Sequence, residues 1–263
     1  MPTSKKRRLS KTSTVYIVIG VTLITLMTIV GTSAFLRVKD IVIEGASMYT
    51  ALEVVESSGI STGDNLMFID SPRVSSKIRE ELPFVSEVEV RRLLPDTVSI
   101  VIVESVAVAS VTFAGEVYII DSSGRVLSRV STGDFAVSEI YEDLIEIRGA
   151  EIEETAVGNP IRPVFGAEIK LQYMQDILEA AEREGHTDDM TYLDVSNIIN
   201  VHFGYMGRYR VILGGRESLR PGNLRHNFGR LNETVSLIIE RHPNTSGDID
   251  LSDESGSPKF TPT

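Results

Sequence analysis

The chain contains no cysteine and no tryptophan, and each absence excludes a class of site. Without cysteine there is no disulfide, no thiolate metal ligand and no thiol nucleophile, so an ordinary hydrophobic core must stabilise the fold. Aromatic residues make up only 6% of the 263 residues. This low content argues against ligand cages or stacking platforms built from large rings.

Acidic residues outnumber basic ones outside the N-terminus. The formal net charge is −11, and the first 36 residues hold five basic residues and no acidic one, which leaves −16 for the remainder. Nucleic-acid binding requires clustered lysine and arginine, and anionic lipid surfaces attract basic segments. We therefore predict no nucleic-acid partner, and we do not expect the acidic part to lie on an anionic lipid surface.

The dominant feature is an apolar run at residues 15–36. These 22 residues include no Asp, Glu, Lys, Arg, His, Asn or Gln. As a helix they would extend roughly 33 Å, enough to cross a hydrocarbon core of about 30 Å. The basic residues of the 1–14 tail precede the run, and such residues stay on the cytoplasmic side. The sequence predicts a single-pass transmembrane helix in the lipid bilayer, with the N-terminus inside and residues 37 onward outside.

A cleaved signal peptide is the alternative interpretation of this run. A basic segment followed by an apolar one fits both, and Ser33 and Ala34 are small residues near its end. The apolar region of a signal peptide usually has only about 7–15 residues, which favours the anchor. A buried core helix would normally show a polar face, and the run has none.

Residues 38–104 predict a small α+β domain with the order β-α-α-β-β. Thr50 and Glu53 have capping-box spacing before a helix at 51–58, and Ser71 and Pro72 can begin a second helix. Alternating or β-branched residues then predict strands at 85–91 and 97–104, after a first strand at 38–45.

Residues 106–263 predict a second, mixed α/β domain. Two amphipathic helices are expected at 167–184 and 224–241. Residues 131–143 are expected to form a loop. Strands are predicted at 107–113, 116–120, 125–130, 144–147, 190–195, 198–203, 209–213 and 248–251, with a final edge strand at 259–262.

The chain offers little catalytic or metal-binding chemistry. His186 with Asp188 and Asp189 forms a weak ligand cluster, which we interpret as a polar loop after a helix. Asp121 and Ser122 could be an acid beside a nucleophile, but Gly124 makes a hairpin turn the better interpretation. His202 and His242 are interpreted as structural or surface residues, and the acidic group Glu151, Glu153 and Glu154 as a solvated loop. We therefore predict no catalytic residues, no metal and no cofactor.

Several short motifs resemble those of the FtsQ/DivIB family of bacterial cell-division proteins and their POTRA domain. They comprise Val38-x-x-Ile41-x-Ile43-x-Gly45, Gly63-Asp64-Asn65-Leu66, Leu94-Pro95-Asp96-Thr97, Tyr118-x-x-Asp121-x-x-Gly124 and Gly247-Asp248-Ile249-Asp250-Leu251. The resemblance implies a basic cytoplasmic tail at 1–14, a transmembrane helix at 15–36, a POTRA domain at 37–105 and an FtsQ-type β-domain at 106–263.

The resemblance also implies a function without catalysis at the division septum. It implies a bitopic scaffold that binds FtsB (DivIC) and FtsL outside the membrane, acts with the septal synthase complex and helps regulate septal peptidoglycan synthesis. A membrane-anchored hydrolase that modifies the cell wall is the alternative.

The edge strands of the two mixed domains can accept a strand from a partner. The C-terminal segment is the best candidate for such pairing, and the resemblance assigns the contact to Ile249, Leu251, Ser252, Gly256 and Phe260. The competing interpretation is that Ile249 and Leu251 simply pack against the helix that contains Phe228 and Val235.

Overall fold

The chain folds into two compact units in the computed structural model. The structure describes residues 11–136, 141, 143–241, 243–253 and 257–263, but not the side chains of residues 11–14, 28–30 and 32–34. One unit comprises Met1–Glu81 and Val85–Glu104, and the other comprises Leu82–Phe84 and Ser105–Thr263. Residues 1–10 of the predicted cytoplasmic tail, His242 and Gly256 lie outside the described residues.

The first helix, α1, runs over Lys11–Phe35 and so begins four residues before the predicted apolar span. Large apolar side chains along it are exposed, from Val15 at 55% to Met27 at 81%. Within the part of the chain that the structure describes, no helix combines the length and apolarity needed to cross a membrane. The transmembrane segment therefore stays a prediction.

The rest of the first unit has the predicted order of strands and helices. Its elements are β1 (Asp40–Glu44), α2 (Ala51–Ser58), α3 (Ser71–Glu81), β2 (Val85–Leu93) and β3 (Thr97–Glu104). The three strands form a sheet in the order β1-β3-β2, with β1 parallel and β2 antiparallel to β3. The core includes Val54, Ile78 and Ile100, each fully buried. The predicted β-α-α-β-β order is confirmed.

Local hydrogen bonds fix the far end of this small sheet. The predicted capping box of α2 is present, with the Glu53 N–H donating to Thr50 Oγ1 and the Thr50 N–H donating to the Glu53 carboxylate. At the end of β3, Glu104 accepts hydrogen bonds from the loop at Ser47 and Met48. Burial opposes ionisation of Glu104, but these bonds outweigh it and lower its pKa below the ordinary value.

The second unit contains one nine-stranded mixed sheet. Its strand order is β12-β11-β10-β9-β8-β7-β4-β5-β6, so β12 and β6 are the two edges. The strands are β4 (Ala109–Phe113), β5 (Glu116–Ile120), β6 (Val126–Ser131), β7 (Ile145–Arg148), β8 (Met190–Asp194), β9 (Val201–Tyr205), β10 (Tyr209–Gly214), β11 (Gly247–Asp250) and β12 (Lys259–Pro262). The predicted final edge strand is confirmed.

Two long helices pack together over this sheet. They are α5 (Glu168–Glu184) and α6 (Pro221–Arg241), and a short helix, α4 (Thr132–Ala136), follows β6. The apolar stripe of α6 is buried because its members recur at helical spacing and face the sheet. It comprises Leu224, Phe228, Leu231, Val235 and Ile238, which join Phe203, Val211 and Leu213 of the strands in one core.

Two sequence predictions for this unit are wrong. The strand expected at 198–203 begins only at Val201, because Asn197 forms a turn in which its side chain accepts the Ile199 N–H at 3.1 Å. The region expected to be a loop at 131–143 contains α4, whose first turn is tied by Ser131 and Asp134. The hairpin turn at Asp121 is confirmed, since the Gly124 N–H donates to Asp121 O at 3.0 Å.

Candidate protein-binding edge of the large sheet

Strand β12 lies at one edge of the nine-stranded sheet and pairs there with β11. The pairing is antiparallel, with Asp248 opposite Thr261 and Ile249 opposite Phe260. The Thr263 N–H donates to Ser246 O at 3.0 Å, so alternation along an antiparallel pair turns the backbone of Thr261 toward β11. The same alternation turns the backbone of Phe260 and Pro262 toward the outer side of the sheet.

The chain reaches this edge by a parallel step after α6. Strand β11 lies parallel to β10, with Tyr209 opposite Gly247 and Val211 opposite Ile249. Helix α6 connects the two strands, as parallel neighbours require a crossover. The chain then turns back after β11 and forms β12, which lies on the side of β11 away from β10.

The predicted contact residues occupy different positions at this edge. Ile249 is 0% exposed and Leu251 is 1% exposed, and both belong to the core that includes Phe228 and Val235. The Leu251 N–H donates to Ile212 O at 2.9 Å. These two residues support the edge from within.

Ser252 and Phe260 lie closer to the surface. The Ser252 N–H donates to Asp250 Oδ1 at 2.9 Å, and Ser252 O accepts the Ser218 hydroxyl at 3.0 Å. Phe260 is partly buried and meets the Tyr209 ring edge to face, with ring centres 6.3 Å apart. The fifth residue, Gly256, lies outside the described residues.

A groove of about 510 Å³ lies between α6 and the segment that leads into β12. Leu237 and Ile238 of α6 provide apolar surface on one side, and Pro258 and Phe260 provide it on the other. Leu237 is 43% exposed. An apolar groove beside an edge strand can accept both the backbone and the side chains of an extended or helical partner segment.

The α6 side of this groove was missed by sequence reasoning. The signal is the apolar run 237–239, which is wider than the stripe that one buried helix face needs. Charged residues flank the apolar wall, with Arg230 and Glu233 on α6 and Arg241 at its end. The groove therefore has apolar walls that are flanked by both positively and negatively charged side chains.

Ion pairing also fixes the neighbouring strands. Arg210 Nε donates to Asp248 Oδ1 at 3.1 Å across β10 and β11, and a second contact joins the same two side chains. The hydrogen bond to Asp248 raises the pKa of Arg210 above its ordinary value. This pair joins opposite positions of β10 and β11, whose register is set by the backbone ladder.

Asp188 and Asp189 are exposed in a short polar turn after α5, as interpreted, whereas His186 is buried and structural. Its side chain is 1% exposed. Nε2 lies 3.0 Å from Phe228 O, which can only accept, so Nε2 carries a proton. Nδ1 lies 2.9 Å from the Tyr205 hydroxyl. His186 therefore joins the end of α5 to α6 and β9.

The signal for this burial is the position of His186 directly after Gly185. Gly185 ends α5 in the left-handed region, and the His186 N–H donates to Ala181 O at 2.8 Å, which is a Schellman motif. The residue at that position commonly packs back against the helix. Burial raises the pKa of Tyr205 well above its ordinary value, and nearby Asp189 adds to this effect.

The other candidate chemical groups serve the fold. Asp121 accepts hydrogen bonds from Ser105 Oγ at 2.9 Å, Ser123 Oγ at 2.7 Å and the Arg125 N–H at 2.9 Å, so its carboxylate holds the turn. Ser122 Oγ donates to Glu182 at 2.5 Å. Among the described residues, no group of three or more His, Asp or Glu side chains is arranged to hold a metal ion.

Comparison with known proteins gives one domain match and several relatives that the chain matches over part of their length. Residues 36–105 match the POTRA domain, FtsQ-type. The chain is 31% identical over 140 residues to the "Cell division protein FtsQ" of Anaeromyxobacter sp. (strain K), which covers 53% of this chain and 45% of that protein.

Two further relatives cover more of their own length. The "Cell division protein DivIB" of Clostridium acetobutylicum is 22% identical over 228 residues, covering 86% of this chain and 83% of that protein. The "Cell division protein FtsQ" of Corynebacterium glutamicum is 32% identical over 152 residues, covering 56% of this chain and 66% of that protein. The chain thus spans less than half of the Anaeromyxobacter relative and about two thirds of the Corynebacterium one.

Proposed function

From the premise that the chain belongs to the FtsQ/DivIB family of bacterial cell-division proteins, we propose that it is a non-enzymatic, membrane-anchored scaffold of the division machinery. It binds small single-span division proteins of the FtsB/DivIC and FtsL type outside the membrane. Through these contacts and the septal synthase complex it helps regulate septal peptidoglycan synthesis.

The observation that carries this proposal is the edge strand β12 beside the α6 groove. An edge strand can pair with an added strand through its backbone, and side-chain pockets next to it give specificity. Here the pocket has apolar walls from Leu237 and Phe260. Ile249 and Leu251 contribute by holding β11 on the core, and Ser252 by fixing the chain after it, whereas the contact assigned to Gly256 stays a prediction.

The proposed anchor is the apolar segment 15–36. Its exposed side chains around α1 offer a surface suited to lipid, and the basic tail before it favours a cytoplasmic N-terminus. The POTRA domain at 37–105 and the β-domain at 106–263 then lie outside the cytoplasm, at the division septum.

The test uses the full chain in detergent or nanodiscs and measures its affinity for the ectodomain of an FtsB/DivIC-type partner. Leu237→Asp places a charge on the groove wall without disturbing the core, because Leu237 is 43% exposed. We expect the affinity to fall about tenfold or more, since apolar anchors in interface pockets dominate binding.

The matched control is Val157→Asp, which also places a carboxylate at an exposed apolar position, 38% exposed, in the same unit. It should bind like the unchanged chain. Equal affinities for the Leu237 and Val157 variants would contradict the use of this groove. Leu251→Pro is a poorer test, because it removes the N–H that donates to Ile212 O and so damages the fold.

The alternative of an anchored hydrolase would need titratable groups that converge in an open cleft. His186, Tyr205 and Asp189 do converge, but His186 is 1% exposed and is bonded to the backbone of Phe228. We therefore assign this cluster to stability. Release of peptidoglycan fragments by the purified full chain would overturn that assignment.

A further inference from the structure

Four large apolar side chains are exposed at one end of the first unit, and we call them the proximal rim. They are Met67, Phe68, Leu93 and Leu94, with exposures of 54%, 84%, 48% and 69%. Scattered apolar residues on a surface are ordinary, but a group of them at one end of a domain marks a contact site.

Backbone hydrogen bonds place the rim residues at the same end of the sheet. The Leu66 N–H donates to Leu36 O at 2.8 Å, which sets Met67 and Phe68 beside the segment before β1. On the other side of that segment, the Lys39 N–H donates to Asp96 O at 2.8 Å, directly after the turn of Leu93 and Leu94. The two halves of the rim therefore flank the chain where it enters the sheet.

The loop that carries Met67 and Phe68 is held by specific bonds. Asn65 Oδ1 accepts the Met67 N–H at 3.0 Å, and Leu66 is 0% exposed in the core. Arg92 Nη2 donates to Ile69 O at 2.9 Å, which ties the far side of the loop to the end of β2. The fold thus fixes the loop backbone so that Leu66 points inward while Met67 and Phe68 point outward.

The rim is continuous with the apolar helix α1. Phe35, the last residue of α1, is 73% exposed, and the next residue, Leu36, already bonds to the rim loop through Leu66. A short connection of this kind leaves no space between the end of α1 and the rim. The end of α1 and the loop that carries Phe68 are therefore joined by a single intervening residue and one backbone hydrogen bond.

The charge around the rim differs from that of the chain as a whole. Arg37 and Arg92 each donate to a backbone carbonyl at this end, and Lys39 Nζ pairs with Asp96 Oδ2 at 2.8 Å. Basic side chains thus accompany the acidic ones here. The strong negative charge predicted to keep the acidic part of the chain away from anionic lipid is not concentrated at this end.

We propose that the proximal rim inserts into the interfacial layer of the lipid bilayer that holds the anchor, on its extracytoplasmic side, with Phe68 as the deepest residue of the rim. The proposal rests on the proposed membrane anchor. Aromatic and large aliphatic side chains partition into this layer, and a domain with such a rim is held at a fixed height on the membrane.

The absence of tryptophan makes a direct test possible. Three single-tryptophan variants of the full chain, Phe68→Trp, Leu52→Trp and Leu23→Trp, are placed in phosphatidylcholine vesicles that contain nitroxide-labelled lipid at a shallow or a deep position. Leu52 is the matched control, because it is 66% exposed and lies in the first turn of α2, at the opposite end of the same unit from the rim.

The proposal predicts that shallow nitroxide lipid quenches the Phe68→Trp emission several-fold more than the Leu52→Trp emission. The Phe68→Trp emission should also lie at shorter wavelength when the protein is in vesicles than when it is in buffer without lipid. The Leu23→Trp probe reports on the anchor itself and should be quenched most by the deep label.

The outcomes separate the two proposals. Equal, weak quenching at positions 68 and 52 with strong quenching at position 23 overturns the rim while the anchor stands. Absence of quenching at position 23 overturns the anchor and the rim together. Protection of position 68 from a water-soluble quencher only after a partner protein is added overturns the lipid as occupant and assigns the rim to that partner.

Discussion

The two edges of the nine-stranded sheet are built differently. At β6, the loop at 158–161 adds a layer of backbone hydrogen bonds, with the Val126 N–H donating to Asn159 O at 2.9 Å and the Gly158 N–H donating to Val126 O at 2.8 Å. At the other edge, β12 is itself the last strand of the sheet and lies beside a groove of about 510 Å³. The chain itself covers the β6 edge at Val126, and the β12 edge is suited to a partner.

The difference suggests separate roles for the two edges of the sheet. An edge strand that pairs with a loop of its own chain gives little opportunity for wrong association. The β12 edge is short, and Pro262 at an outward position lacks an N–H donor. We expect a short edge with few donors to favour a partner that also fills the groove.

The largest expected loss of stability comes from substitutions in the core beneath each edge. Ile249→Ala and Ile120→Ala each remove a side chain that is 0% exposed, so each should lower the free energy of unfolding by about 2–5 kcal/mol in urea titrations. Only Ile249→Ala should also weaken partner binding, by about tenfold, because β11 carries β12. Equal binding losses would mean that the two edges do not differ in function.

The next prediction concerns the contact between β11 and β12. A methyl group at Gly247 would meet Thr261 O and lie 3.0 Å from Pro262 Cα, so Gly247→Ala should push β12 outward. We expect a loss of about 1–3 kcal/mol and faster amide exchange at Lys259 and Thr261, whose backbones face β11.

Gly115→Ala is the control for this change. Gly115 has φ +83° and open space around an added methyl group, so it reports conformational strain alone, about 1 kcal/mol. Exchange at β12 should stay unchanged in this variant. Unaltered exchange at β12 in Gly247→Ala would show that β12 does not depend on close backbone contact.

A smaller effect should follow from loosening the loop on β6. Arg125 Nε donates to Gly158 O at 2.9 Å, and Arg125→Ala removes that bond at an expected loss of about 1 kcal/mol. Amide exchange at Val126 and Gly158 should accelerate, while exchange at Leu251 keeps its rate. Faster exchange at both edges would indicate that the stability of the β6 edge is not independent of the β12 edge.

The smallest effect is expected from the cross-strand ion pairs near each edge. Asp248→Asn removes the partner of Arg210, and Glu116→Gln removes one of the two acidic partners of Arg129. Each change should cost less than about 1 kcal/mol, and added salt should reduce the difference. A loss that persists in high salt would indicate a structural role beyond charge.

Much of the local structure could be predicted because its causes lie within a few residues. The capping box of Thr50 and Glu53, the turn at Asp121 and the helix end at Gly185 all depend on neighbours in the sequence. The β-branched residues wrongly predicted that β9 begins at 198. It begins at Val201, because Asn197 accepts the Ile199 N–H in a competing turn.

The candidate site was predicted only in outline. The C-terminal segment could be chosen as an edge from its short strands, but Ile249 and Leu251 point into the core and Leu237 supplies the exposed wall. These assignments depend on which strand lies beside β10. That pairing joins residues about forty positions apart, and local patterns do not encode it.

By itself, the sequence determined the apolar segment at 15–36, the β-α-α-β-β order of the first unit, the acidic remainder and the absence of thiol chemistry. These follow from composition and from periodicity, which act over a few turns of chain. Only the tertiary structure decided that β12 is an edge beside a groove, that His186 is buried and that Phe68 faces outward next to the end of α1. The physical reason is that burial and pairing are set by segments distant in sequence, which meet only when the chain folds.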